Sequence, residues 1–188
     1  LIGASPDEVA AAAERAIEPY LGWLHEGELL PADVHAEPLE VAESLPVHGN
    51  IRPLFTLDRI HPAEDAIELA LAVGRASLSD LLFVRDDVPR ERLAEADRLL
   101  RQLAEADRWF ATRIAEASGL PFQSLEDELI QSASLFEETV DLAAQSGQTA
   151  IRPIDGEEWT LAKALRRRTG HLRRHLPVLM ALLEPADE

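Results

Sequence analysis

The fold is decided by residues 157–175, EEWTLAKALRRRTGHLRRH. Thr160 can cap the free N–H groups at the start of a helix, and two glutamates precede it. The helix that follows is rich in arginine and carries His171 and His175 four residues apart. On a helix this spacing places two imidazoles one above the other, so that both can offer a nitrogen to one metal ion. Such ions take at least three protein ligands, so a third ligand has to come from elsewhere in the chain.

The two histidines lie at the border of the apolar face of this helix. At ~100° per residue, His175 is roughly 60° and His171 roughly 100° from the centre of the leucine seam. That seam consists of Leu161, Leu165, Leu172, Leu176, Leu179 and Leu183. The position suits a metal cleft, but two ordinary boundary histidines fit it as well, and the residues alone favour the second interpretation. No glutamate follows the first histidine, which excludes the general base of HExxH proteases.

Composition excludes several classes of function. The formal net charge of −17 disfavours nucleic acid as a partner, because phosphates would be repelled by most of the surface. No apolar run approaches the ~20 residues that a membrane span requires, so we expect no membrane partner. The chain contains no cysteine, which excludes disulfides and thiolate ligands. We expect a soluble, cytoplasmic protein. The chain begins at Leu1 without a signal-peptide pattern, and the sequence leaves open what lies upstream.

The first 56 residues predict a small α+β segment. Ser5-Pro6 is a typical helix start, and the alanine-rich run after it predicts a helix to Trp23 or Leu24. Prolines then recur through residues 28–60, which excludes a long helix there. Leucines and valines between Leu39 and Val47 indicate a short strand.

Residues 57–188 predict a four-helix bundle. Apolar residues recur at helical spacing in four segments, Pro62–Phe83, Pro89–Ser118, Pro121–Gly147 and Thr160–Leu183. Because the first two connectors look short, we expect the first three of these helices to run antiparallel to their neighbours in sequence. The longer loop at residues 148–158 leaves the placement of the fourth helix open.

The last helix also carries a cluster of arginines on an otherwise acidic chain. The cluster consists of Arg166, Arg167, Arg168, Arg173 and Arg174. A solvated helix face bridged to acidic neighbours is the simpler interpretation. The functional alternative is a binding site for a carboxylate or phosphate beside the histidines. Trp109 and Trp159 are interpreted as core residues or cleft walls.

With these residues in view, the chain resembles the DinB-like (DinB/YfiT-like) superfamily of metalloenzymes over residues ~60–184. The resemblance rests on WTLAKALRRRTGHLRRH in the last helix and on LLRQLAEADRWFATRI, residues 99–114. It implies a four-helix bundle that holds a divalent metal, often zinc or nickel, on three histidines. It also implies transfer or isomerisation of substrates with a low-molecular-weight thiol such as bacillithiol, mycothiol or glutathione.

Mapped onto this chain, the resemblance implies His171 and His175 as metal ligands, with Gln102 where the family has its third histidine. An amide oxygen is a weaker ligand than imidazole for a zinc-like ion. Two histidines with Gln102 could hold a metal weakly, and Glu105 or Glu138 is a candidate for a further donor. A small-molecule substrate is implied, and a homodimer is in keeping with the family.

The substrate-binding candidates are Arg168 and Arg174, which could hold an anionic substrate, and Trp109. We therefore expect a divalent-metal-dependent thiol transferase or hydrolase with a degenerate histidine triad. The alternative is a non-catalytic bundle, involved in stress, that has lost its metal and binds a ligand or another protein.

The amino-terminal segment shows a fainter resemblance. SPDEVAAAAERAIEPYLGWL, residues 5–24, followed by a valine-containing strand, resembles the helix and strand of HicB-like antitoxin domains. It implies a regulatory role with a toxin-like partner.

Overall fold

The computed structural model of this protein describes residues 5–36, 42–43, 45, 52–115, 124–147 and 151–184. The chain divides into two compact units, Leu1–Phe55 and Thr56–Glu188. Most of the described residues are helical, and one small two-stranded sheet lies in the second unit. Among the helices of the described segments, none is long and apolar enough to cross a membrane.

The first unit contains helix α1, Pro6–Glu26. The helix starts as the sequence predicts, because Ser5 Oγ accepts a hydrogen bond from the Glu8 amide at 3.2 Å. On the same helix Tyr20 stacks on Trp23, with ring centroids 5.9 Å apart. The strand predicted between Leu39 and Val47 falls mostly outside the described residues.

The second unit is built from four long helices. A short 3-10 turn, Leu57–Arg59, precedes them. The helices are α2, Glu64–Asp86; α3, Leu93–Ile114; α4, Leu125–Gln145; and α5, Leu161–Met180. Each corresponds to one of the four predicted helices, and the mostly helical character is confirmed. The predicted cap of the last helix is also confirmed, since Thr160 Oγ1 accepts from the Lys163 amide at 3.2 Å.

A β-hairpin leads into α5. Strands β1, Arg152–Ile154, and β2, Glu157–Trp159, pair in an antiparallel ladder. Asp155 and Gly156 join them with positive φ angles of 52° and 77°. Asp-Gly is a favoured pair for a two-residue hairpin turn, because both positions require φ above zero. The loop predicted at residues 148–158 therefore contains most of a hairpin that was not predicted from the sequence.

Two buried clusters show how the helices run. One cluster joins the starts of α2 and α5 to the later halves of α3 and α4; it includes Ile67, Leu71, Phe110, Ile114, Phe136, Val140, Leu161 and Leu165. The other joins the ends of α2 and α5 to the first halves of α3 and α4; it includes Leu81, Ala96, Leu100, Leu129, Leu172 and Leu179. Hence α2 and α5 run in one direction, and α3 and α4 run in the other.

The prediction that the second and third of these helices are antiparallel is therefore wrong. Residues 115–124 separate α3 from α4. A segment of that length can span about 33 Å when extended, which is roughly the length of either helix. A connector of this reach does not force an antiparallel turn.

A buried ion pair lies where the four helices meet. Arg168 of α5 donates two hydrogen bonds to the carboxylate of Asp107 on α3, at 2.8 Å and 2.7 Å. The guanidinium lies over the ring of Phe136 on α4, 4.5 Å from its centroid. On α2, Gly74 makes room for it, since a Cβ atom there would collide with Arg168 Nη1. All four helices therefore contribute to the enclosure of this one side chain.

We expect Asp107→Ala to decrease the free energy of unfolding by about 3 kcal/mol or more, because it leaves a buried guanidinium unpaired. Urea unfolding at neutral pH measures the change. Glu95→Ala is the matched control, since Glu95 is also an α3 acid but lies 3.7 Å from Arg92 in an exposed pair. The control should cost less than about 1 kcal/mol. Equal losses in the two variants would contradict the central role of the buried pair.

Candidate functional site

The two histidines on α5 lie next to each other. Their ring centroids are 4.4 Å apart, with the rings tilted by 60°. His175 Nδ1 lies 2.8 Å from the carbonyl oxygen of His171, and a carbonyl can only accept. Nδ1 of His175 therefore carries the proton, which in the neutral ring leaves the lone pair on Nε2. This hydrogen bond orients the ring as second-shell contacts do in metal sites.

His171 is held as a neutral ring. It packs edge-on against Phe110 of α3, with centroids 6.0 Å apart. Burial, followed by the nearby positive charges of His175, Arg174 and Arg167, lowers the pKa of His171 to about 4. Its Nε2 atom is buried and has no hydrogen-bond partner. A buried ring nitrogen without a partner is costly, and a ligand that bonded to it would remove that cost.

The third predicted ligand, Gln102, is exposed on α3. The candidates for a further donor, Glu105 and Glu138, are exposed on α3 and α4. Within the described segments, no group of three His, Cys, Asp or Glu side chains is placed to hold a metal ion. Gln102 is not among these residue types, because its side chain is an amide. That this side chain reaches the histidine pair stays a prediction.

The predicted substrate-binding arginines have different environments. Arg168 is only 3% exposed and gives two of its N–H groups to Asp107. For it to hold a substrate, as predicted, that pair would have to open. Arg174 is exposed, and its Nε donates to the carbonyl oxygen of Gly170 at 2.9 Å. Arg174 therefore remains accessible to an anion beside His171.

Trp109 is 38% exposed and belongs to an aromatic cluster with Phe110 and Trp159. The cluster lies beside the histidines, because Phe110 contacts His171. Trp109 meets the buried Trp159 edge to face, with centroids 5.0 Å apart. Two guanidinium groups lie over its ring, that of Arg113 at 4.3 Å and that of Arg167 at 5.5 Å. Stacked arginines on an aromatic wall are a surface that suits flat or anionic groups.

The structure adds a residue, Asp107, and a contact, that of Arg167 with Glu157, which were not predicted from the sequence. Asp107 lies on the buried face of α3, and Arg167 bridges the aromatic cluster to Glu157, with a hydrogen bond of 2.8 Å. A signal for Asp107 was present: it follows Leu100 and Leu103 and precedes Phe110 at core spacing, where an acid requires a buried partner. Arg113 had no comparable signal, because its place depends on the hairpin.

The histidine pair can supply two ligands to a divalent ion, but the ion needs at least one more. In their neutral forms the two imidazoles can each offer a ring nitrogen of the kind that zinc and nickel accept. A third donor has to be Gln102 or an atom of a bound ligand. Comparisons with protein-family models, curated proteins and solved structures give no match.

We expect the stability of the protein to fall as pH decreases from about 6.5 towards 4. In that window the unfolded chain protonates His171, whereas the folded chain keeps it neutral, so protons favour unfolding. After allowance for partial solvent screening, we expect His171→Gln to remove about 1–2 kcal/mol of this pH-dependent loss. Urea unfolding at pH 7 and pH 4.5 measures the difference.

His35→Gln is the control, because His35 is exposed in the other unit. This variant should keep the full pH dependence. A ring-proton NMR titration that places the pKa of His171 near 6.5 would contradict the burial argument.

Proposed function

We propose that this chain is a DinB-like four-helix bundle whose histidine pair, His171 and His175, binds a divalent ion such as zinc or nickel. We further propose that it acts as a thiol transferase or hydrolase with a degenerate triad, in which Gln102 replaces the third histidine. The observation that carries the proposal is the pair itself, since its rings lie 4.4 Å apart on one face of α5.

The state of the two rings supports this assignment. A histidine ligand has to be neutral, and the low pKa of His171, about 4, keeps it so at physiological pH. His175 already has the orientation that a second-shell hydrogen bond gives to a ligand. The unpartnered Nε2 of His171 is the atom that would gain most from coordination.

The arrangement of the helices also supports the family assignment. The resemblance places the site between its second and last helices, which are α3 and α5 here. Phe110 of α3 does contact His171 of α5, and the buried pair of Asp107 and Arg168 joins the same two helices. Gln102 lies on α3 as well, so it is on the helix from which a third ligand would come.

Each residue near the pair has a role in this proposal. When bound, the ion would lower the pKa of a coordinated thiol or water. His171 and His175 would hold it, and the amide oxygen of Gln102 would complete or orient the site. Arg174 would attract an anionic substrate, and Trp109 would form an apolar wall beside it.

A second candidate function is favoured by the weak donor at position 102. A neutral amide in place of imidazole, together with the burial of Arg168, suits a bundle that has lost its metal. Such a protein would be a non-catalytic, stress-related module that binds a ligand or another protein. The Trp109 wall with its two stacked guanidinium groups would then be its binding surface.

We expect the purified protein to bind about one equivalent of zinc or nickel weakly, and His171→Ala combined with His175→Ala to abolish that binding. Gln102→His should tighten binding by tenfold or more, because imidazole replaces an amide oxygen. Metal content by elemental analysis and affinity by competition with a chromogenic chelator are the measurements.

His35→Ala is the control, because it removes an exposed histidine outside the pair. If the wild type binds no metal but Gln102→His does, the metal-free module is the correct function. If neither the wild type nor Gln102→His binds metal, the proposed metal site is wrong.

A further inference from the structure

A pocket separate from the histidine pair lies where the end of α3, the hairpin and the start of α5 meet. It is a shallow pocket of about 270 Å³ of non-atom space, a figure that includes open solvent. Arg113 and Arg152 line it together with apolar groups of Ile114, Trp159 and Leu161. Two arginines in one small pocket form a local concentration of positive charge on a chain with a net charge of −17.

Arg113 is held in place but not fully paired. Its guanidinium stacks over Trp109 at 4.3 Å, and its Nη2 donates to Asp155 at 3.0 Å. The side chain is only 13% exposed, whereas that of Asp155 is 80% exposed. The Nε–H of Arg113 is buried and has no hydrogen-bond partner. A buried charged donor without an acceptor is costly, and because Arg113 also lines the pocket, an oxyanion bound there is the candidate partner for this guanidinium.

Arg152 supplies the second cation. It is half-buried at the start of β1, directly opposite Trp159 in the ladder, and it makes no ion pair in the part of the chain described. The neighbouring carboxylate of Glu157 is already bonded to Lys163 and Arg167. Within the described segments, Asp155 is thus the one acid paired with either of these two arginines, and it is mostly in solvent. The pocket keeps a local positive charge.

The start of α5 adds to this charge. Thr160 and Leu161 also line the pocket, and they are the cap and first residue of a 20-residue helix. The partial positive charge at a helix N-terminus favours an anion near it. Its contribution here is secondary to that of the two arginines.

We propose that this pocket binds a small oxyanion, a carboxylate or a phosphate that carries a short apolar group. The arginines bind the oxygens, since a planar guanidinium matches both kinds of oxyanion, and Ile114, Trp159 and Leu161 enclose the apolar part. This site shares Arg113 with the Trp109 surface of the second candidate function, but it goes beyond both candidates and does not depend on a metal at the histidine pair.

Isothermal titration with inorganic phosphate and, separately, with benzoate tests the proposal, at an ionic strength held constant with sodium chloride. We expect one saturable site for at least one of the two anions, and the tighter anion identifies the preferred chemistry. Arg152→Ala should weaken that binding by about tenfold or more. Arg113→Lys keeps the charge but removes the Nε–H and the planar fork, so it should weaken binding as well.

Arg101→Ala is the matched control, because it removes one exposed arginine from α3 without touching the pocket. It should leave anion affinity unchanged. Circular dichroism checks that each variant folds, and Arg152→Ala decides the question if Arg113→Lys does not fold. Absence of saturable binding of both anions, or equal weakening by Arg101→Ala and Arg152→Ala, would overturn the proposal. Metal content is a separate readout, so either proposal can fail alone.

Discussion

The ion pair between Arg168 and Asp107 is the constraint on which the second unit depends. A guanidinium that is 3% exposed is stable only with a complete set of partners, so α5 cannot slide along α3 without breaking two hydrogen bonds. Gly74 and Phe136 extend the constraint to α2 and α4, because one provides space and the other an aromatic face. The pair thereby fixes the register of α5, and His171, one turn beyond Arg168, comes to lie against Phe110.

A second buried cation, Lys163, lies in the first turn of α5 and fixes the start of this helix. Lys163, the sole lysine of the chain, is fully buried and donates to Glu157 Oε1 at 2.9 Å and to the Glu158 carbonyl at 2.7 Å. Burial lowers the pKa of Lys163, and the hydrogen bond to Glu157 opposes that shift. Because Glu157 also bonds Arg167, one carboxylate joins β2 to the first turns of α5. The hairpin is therefore held against the helix, which places Arg167 over Trp159 at 4.6 Å and brings Arg152 to the pocket.

The local signals of the sequence predicted local structure well. Ser5 and Thr160 each cap a helix as expected, and the spacing of His171 and His175 does bring their rings together. The wrong prediction of helix direction concerned contacts between residues that are far apart in the sequence. The common direction of α3 and α4 follows from which halves share a core, and helical periodicity contains no such information. The hairpin could have been found, since Asp155-Gly156 is a strong turn signal. The partner of an acid at a core position such as Asp107 could not be named from spacing alone.

The histidine pair and the buried ion pair also differ in what they leave unsatisfied. In the ion pair, each buried charge has an opposite charge as its partner. His171, in contrast, keeps a buried Nε2 atom that has no hydrogen-bond partner. If two imidazoles and an amide are the whole protein contribution, affinity for an ion has to come partly from the bound molecule. A thiolate that completed the coordination would then bind more tightly with the ion present, and the ion more tightly with the thiolate, by the same factor. In the proposed enzyme, the weak donor at Gln102 would therefore make metal and thiol binding mutually dependent, whereas a third histidine would let the ion bind alone.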